Sequence, residues 1–153
     1  MNTYLLHKAT IVTAEKEAIG SVIVSDGKIV DVIYADDEAF DYKVFKASSQ
    51  YSNLQRMELE GKHLIAGGID AHVHFRDPGL THKADMETES RAAAAGGITT
   101  AFDMPNTVPK TNTYKALKEK IQIAKNKSVV NFELQAGHNT LEEMEKMVTL
   151  NPI

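Results

Sequence analysis

The sequence predicts an α/β protein in which a small β unit precedes a series of alternating strands and helices. Short apolar or β-branched runs separated by turn residues fill the first third of the chain, and after Gly61 such runs alternate with stretches of helical periodicity. Crossovers of helix length make consecutive strands parallel, with the helices packed on the sheet. We therefore predict a β unit over residues 1–61 and βα units over residues 62–153.

The β unit is defined by its turn residues. Asp26 and Gly27 lie between two apolar runs, and this dipeptide suits the left-handed backbone of a type I′ hairpin turn. Between residues 35 and 53, charged, aromatic and small polar residues follow no period, which predicts an irregular stretch with one short strand over 43–45. The other strands are predicted over 5–13, 19–25, 28–34 and 55–59.

The βα series is marked by helix start and stop signals. Thr140 and Glu143 have the spacing of a capping box and open a helix, and Gly96-Gly97 is typical of a helix C-terminus. Strands are predicted over 69–75, 98–104 and 128–135, with helices over 85–95 and 112–125 between them.

Composition excludes several classes of protein. The 153 residues include no cysteine, which excludes a disulfide scaffold, a thiolate zinc site and a cysteine nucleophile. No run approaches the ~20 apolar residues that span a bilayer, and the first residues lack the basic and apolar regions of a signal peptide. The net charge of -4 argues against a nucleic-acid partner. We expect a cytoplasmic protein with neither a membrane nor a nucleic acid as its partner.

Two histidines form the pattern that points most directly to chemistry. His72 and His74 lie near the end of a predicted strand, where residues two apart point to the same side. This end of a strand is where α/β folds bind their ligands. Two neutral imidazoles on one face can bind one divalent ion, and they suit zinc. A chance His-x-His pair is the alternative, because the chain has six histidines.

Three segments carry a family resemblance. The run GIDAHVHFRDPG over 68–79, then RAAAAGGITT over 91–100 and MPNT over 104–107, resembles the dihydroorotases of the amidohydrolase superfamily. The resemblance covers about residues 1–135, and Arg76 with Pro105-Asn106-Thr107 is its part specific to dihydroorotases. It implies the first three βα units of a (β/α)8 TIM barrel, preceded by a sandwich-like β unit that C-terminal strands complete.

The resemblance implies roles for four residues. His72 and His74 would ligate the more buried metal of a site that holds one or two Zn²⁺ ions. Arg76 and Asn106 would bind the carboxylate of the substrate, and a guanidinium offers the planar pair of donors that a carboxylate accepts. The alternatives are an Arg76 that pairs with Asp77 or another carboxylate, and an Asn106 that merely opens a loop.

Other ionisable residues match no position of the motif. His63, His82 and His138 are expected to be exposed, or satisfied by neighbours in a core. Asp103 is expected to accept hydrogen bonds from backbone or polar groups near its strand end rather than to act as a base.

The activity implied by the resemblance is the metal-dependent, reversible hydrolysis of the cyclic amide of dihydroorotate to N-carbamoyl-aspartate, in pyrimidine biosynthesis. A homo-oligomer, specifically a dimer, is expected. Because such a barrel takes ~250 residues, the bridging ligand and the catalytic acid/base are expected beyond Ile153, and the chain is expected to be an inactive N-terminal piece. The alternatives are a cyclic amidohydrolase of the allantoinase or dihydropyrimidinase type and a non-catalytic dihydroorotase-like scaffold.

Overall fold

The chain forms two compact units that divide between Ala66 and Gly67. A computed structural model describes residues 2–150, so the predicted domain limits at residues 1 and 153 lie outside the described residues. The division falls after the predicted boundary at residue 61, because the short strand β5 (His63–Leu64) pairs with β1 (Thr3–Val12) of the first unit.

The first unit is a sheet in the order β3-β2-β1-β4, with β5 also paired to β1. The first three strands are antiparallel neighbours, whereas β4 and β5 run parallel to β1. Asp26 and Gly27 have φ values of 49° and 75°, which confirms the predicted left-handed turn between β2 and β3. Its elements after β1 are β2 (Glu17–Ser25), β3 (Lys28–Tyr34), α1 (Phe40–Ser48), β4 (Leu54–Glu58) and β5.

Helix α1 occupies the stretch predicted to be irregular, so the short strand predicted over 43–45 is wrong. Phe40 and Val44 are one helical turn apart, and both are buried in the core of this unit. The N-cap residue, Ala39, forms no side-chain hydrogen bond to the first turn. Burial of its apolar face, rather than a side-chain cap at Ala39, stabilises this helix.

The second unit is a three-stranded parallel sheet in the order β6-β7-β8, with helices between its strands. This order confirms the strand and helix alternation predicted from the sequence. Its elements are β6 (Gly68–Val73), α2 (Met86–Ala95), β7 (Ile98–Asp103), α3 (Tyr114–Lys127), β8 (Asn131–Leu134) and α4 (Leu141–Met147).

The limits of α2 are set by local hydrogen bonds. The Asp85 carboxylate accepts the Thr88 backbone N–H, and the Thr88 hydroxyl accepts the Asp85 backbone N–H, so both halves of a capping box are formed. At the other end, Gly97 has a φ of 82°, a conformation that glycine adopts without strain. The chain can therefore turn at once into β7.

Only one half of the predicted capping box of α4 is formed. The Thr140 hydroxyl accepts the Glu143 backbone N–H at 3.3 Å, as predicted. The Glu143 carboxylate instead accepts the backbone N–H of Tyr114, the first residue of α3, at 2.6 Å. Glu143 thus links the start of α4 to the start of α3.

A buried apolar cluster supports the loop that follows β6. The cluster joins this loop to α2, β7 and α3, and it comprises Phe75, Met86, Ala101 and Ala124. Within residues 2–150, no helix is both long enough and apolar enough to cross a membrane.

Candidate functional site

The four predicted site residues lie at the carboxyl ends of β6 and β7. His72 belongs to β6, His74 and Arg76 follow it, and Asn106 follows β7. Because β6 and β7 are adjacent and parallel, these ends share one edge of the sheet. The sheet therefore places both predicted pairs at the same edge of the second unit.

The two histidine side chains are neighbours, as their spacing predicts. Their ring centroids are 5.2 Å apart and the ring planes meet at 70°. The backbone N–H of His72 donates to the Asp70 carboxylate at 3.0 Å, which fixes the chain before the pair. His72 is exposed and His74 is partly buried.

Asn106 contacts His74 directly. His74 Nδ1 lies 2.8 Å from Asn106 Oδ1. With the amide oxygen as acceptor, Nδ1 carries the hydrogen and Nε2 keeps its lone pair. In that arrangement the Asn106 Nδ2 group stays available as a donor for another partner.

Arg76 has an unusual backbone and no carboxylate partner among residues 2–150. Its φ is 67°, in the left-handed region that few residues other than glycine adopt. The alternative pairing with Asp77 is not formed, and Asp77 Oδ2 instead lies 2.7 Å from Lys127 Nζ. Within residues 2–150, no Asp or Glu oxygen lies within 4.0 Å of the Arg76 guanidinium nitrogens.

Asp103 forms the structural contacts predicted for it. Its Oδ1 accepts the backbone N–H of Phe75 at 2.8 Å, and its Oδ2 lies 2.7 Å from Lys120 Nζ. The side chains of Asp103 and Lys120 are 1% and 0% exposed, so the pair is fully desolvated. Burial lowers the pKa of Lys120 from its usual value, and the Asp103 charge partly opposes that effect.

Sequence reasoning missed both lysines that contact these aspartates. Lys120 lies among Leu117, Ile121 and Ala124 on the buried face of α3. A charged residue at an apolar position of a helical repeat is the signal that would have revealed it. Lys127 lies on the last turn of α3, and its hydrogen bond to Asp77 raises its pKa.

The other histidines do not join the site. His63 is exposed, with Nε2 3.6 Å from a Glu17 carboxylate oxygen, and His82 and His138 are also exposed, as expected. His7 is buried in the first unit, where its Nδ1 lies 3.0 Å from the Ser21 hydroxyl. Burial lowers the pKa of His7.

The described residues supply two metal donors at the sheet edge. Across residues 2–150, no group of three His, Cys, Asp or Glu side chains is placed to hold one ion. Zinc in proteins takes four ligands. His72 and His74 can therefore form only part of such a coordination shell.

Sequence comparison connects this sheet edge to a known family. The sequence profile of the amidohydrolase family matches residues 63–151, which include both histidines. The chain belongs to the amidohydrolase family. The match begins at β5 and extends over the whole βα series.

Relatives of this amidohydrolase chain include named dihydroorotases. The protein from Methanothermobacter thermautotrophicus is 36% identical over 138 residues, which are 90% of this chain and 29% of that protein. The protein from Methanosphaera stadtmanae is 41% identical over 127 residues, 83% of this chain and 30% of that protein. The predicted resemblance is confirmed, and the chain spans about 30% of the length of these curated relatives.

Solved amidohydrolase structures confirm the predicted fold class. The L-hydantoinase (dihydropyrimidinase) from Arthrobacter aurescens matches 95% of this chain and 30% of its own chain, with a TM-score of 0.76 and 29% identity. The two units of this chain therefore have the fold of a β unit followed by the first βα units of a TIM barrel.

Proposed function

We propose that this chain carries one metal-ligand pair and the substrate-carboxylate pair of a dihydroorotase, which interconverts dihydroorotate and N-carbamoyl-aspartate. The observation that carries the proposal is the 2.8 Å contact between His74 and Asn106. This contact joins His74, a candidate metal ligand, to Asn106, whose side-chain amide can bind a carboxylate. The two residues follow neighbouring strands. The dihydroorotases among the relatives support the same activity.

The histidine pair fits a divalent metal of the zinc type. Nδ1 of His74 is engaged by Asn106, so Nε2 is the nitrogen available to a metal. His72 offers a second imidazole whose centroid is 5.2 Å away. We propose that the other ligands and the catalytic acid/base come from other βα units of the barrel. A bound zinc ion supplies Lewis acidity, which activates a carbonyl and lowers the pKa of water to about 7.

The carboxylate of the substrate is proposed to bind between Arg76 and Asn106. Among the described residues the Arg76 guanidinium has no carboxylate partner, so its paired donors stay available to a ligand. The Asn106 amide keeps Nδ2 as a second donor, because its oxygen faces His74. In this arrangement Asn106 contacts both the substrate carboxylate and a metal ligand. A small-molecule substrate, a dimeric assembly and a cytoplasmic location remain predictions.

A cyclic amidohydrolase of the dihydropyrimidinase type is the second candidate. The likeness to the L-hydantoinase structure favours it, because that match covers 95% of this chain at 29% identity. Hydantoin and dihydrouracil have the cyclic amide but no carboxylate. A site of this type gives Arg76 no carboxylate to bind, so substrate preference separates the two candidates.

The test is a substrate comparison with the full-length, zinc-loaded protein. We expect hydrolysis of dihydroorotate to N-carbamoyl-aspartate, measured by chromatography, to exceed hydrolysis of hydantoin, dihydrouracil and allantoin. A preference for hydantoin or dihydrouracil would support the second candidate instead. Turnover of none of them by metal-loaded protein would indicate the non-catalytic scaffold.

A further inference from the structure

The backbone at Arg76 is held in a conformation that its own residue type disfavours. Its φ of 67° lies in the left-handed region, where any residue with a β-carbon is strained. Such a conformation persists only where the surrounding structure holds it. The residues on both sides, Phe75 and Asp77, are buried at 4% exposure. The Arg76 carbonyl accepts the Leu80 N–H at 3.0 Å, and the contacts of Phe75 and Asp77 hold the backbone on both sides of it.

On one side, a buried ion pair anchors Phe75. The Phe75 backbone N–H donates to Asp103 Oδ1 at 2.8 Å, while Asp103 Oδ2 lies 2.7 Å from Lys120 Nζ. Lys120 also donates to the backbone carbonyl of Met104 at 2.8 Å. Lys120 thus contacts both the Asp103 carboxylate and the chain just after it.

On the other side, a second ion pair anchors Asp77. Its Oδ2 accepts from Lys127 Nζ at 2.7 Å and from the backbone N–H of Met86, the first residue of α2, at 3.4 Å. The Asp77 side chain is 5% exposed, whereas that of Lys127 is 39% exposed. The lysine thus reaches from the rim of the unit to a buried carboxylate.

Both lysines come from the same side of one helix. Lys120 and Lys127 belong to α3 and are seven positions apart, which is about two helical turns. We propose that Lys120 and Lys127 are positioning residues which, through Asp103 and Asp77, hold the backbone on both sides of Arg76. The guanidinium is thereby aimed at the substrate carboxylate. This last step rests on the proposed function, whereas the anchoring of the backbone does not.

The first test needs no substrate. We compare Lys127→Met with Lys127→Arg, which keeps the charge, and with Lys125→Met, which removes an exposed lysine of the same helix. In the full-length protein, Lys127→Met is expected to speed amide hydrogen exchange over residues 75–86 by about tenfold or more. Lys127→Arg and Lys125→Met should exchange like the parent. Exchange in Lys127→Met that matches Lys125→Met overturns the proposal.

The second test isolates the anchor at Phe75. Removing Lys120 alone leaves a buried charge that destabilises the whole protein, so the comparison uses two double variants without that charge. Asp103→Asn with Lys120→Met keeps an acceptor for the Phe75 N–H, and Asp103→Ala with Lys120→Met removes it. Amide hydrogens around Phe75 should exchange about tenfold faster in the alanine version than in the asparagine version. Equal exchange in the two would show that Asp103 does not hold this backbone.

A kinetic measurement connects the anchors to Arg76. For Lys127→Met, KM for dihydroorotate should rise about tenfold with kcat nearly unchanged, since the carboxylate contact supports ground-state and transition-state binding alike. Bound zinc should stay at the parental level. Faster exchange without a change in KM overturns the positioning role. If the parent does not hydrolyse dihydroorotate, the proposed function is wrong. The hydrogen-exchange data still test whether the lysines hold the backbone on both sides of Arg76.

Discussion

The buried pair of Asp103 and Lys120 predicts a large effect on stability. In Lys120→Met, a side chain of similar length fills the space but cannot neutralise a carboxylate that is 1% exposed. Removing one partner of a buried ion pair typically costs about 3–5 kcal/mol, because the other charge stays desolvated. The variant also loses the lysine donor of the Met104 carbonyl, at 2.8 Å in the parent. We therefore expect a loss of about 3–5 kcal/mol in the free energy of unfolding.

The assay is urea unfolding of the full-length protein followed by circular dichroism. Lys125→Met is the matched control, and as an exposed change it should stay within about 0.5 kcal/mol of the parent. Adding Asp103→Asn to Lys120→Met removes the unpaired charge and should restore most of the lost stability. A Lys120→Met variant as stable as Lys125→Met would refute the buried pair. Failure of the double variant to recover would refute charge burial as the cause.

Three further predictions concern the metal pair, a helix cap and a buried histidine. His72→Ala and His74→Ala should each abolish tight zinc uptake, and full stoichiometry by elemental analysis in either variant would contradict the ligand assignment. Thr113→Ala removes the hydroxyl that accepts the Ala116 N–H at 3.2 Å and should cost about 1 kcal/mol in urea unfolding; an unchanged midpoint would contradict the cap. Burial lowers the pKa of His7 below 6.5, so its unfolded form binds a proton that the folded form resists. Stability should therefore fall as pH drops below 6.5, and His7→Gln should reduce this pH dependence; a slope unchanged by the substitution would exclude His7 as its source.

The elements that the sequence predicts correctly are those whose signals are local. Asp26-Gly27 demands a left-handed turn whatever surrounds it, and the turn has that backbone. His72 and His74 share a side because strand geometry alternates side chains, and their rings are neighbours. Local geometry was sufficient for both.

Where tertiary contacts decide, the sequence reading fails. The N-cap residue of helix α1 forms no side-chain hydrogen bond, and Phe40, Val44 and Ala47 mark an apolar face that a mixed composition conceals. The Glu143 carboxylate has the spacing to cap its own helix, but it accepts the Tyr114 N–H of another. Such partners lie far apart in the sequence, so no local pattern reveals them.

The candidate site shows the same division. Strand order and spacing predict that residues 72, 74, 76 and 106 lie at one edge of the sheet, and the strand ends place them there. The lysines that fix the backbone beneath them were not predictable, because an ion pair such as Asp77 with Lys127 joins positions fifty residues apart. Only the apolar neighbours of Lys120 hinted that a charge was buried there.

The most direct test of the central claim is the ratio of kcat/KM for dihydroorotate to that for dihydrouracil, which differs by lacking the carboxylate. We predict that the full-length parent strongly favours dihydroorotate. Arg76→Lys replaces the paired guanidinium donors by a single ammonium and should lower the ratio by about tenfold or more. Zinc content should remain unchanged. A parent that hydrolyses dihydrouracil as well as dihydroorotate, or an Arg76→Lys variant with the parental ratio, would contradict the account.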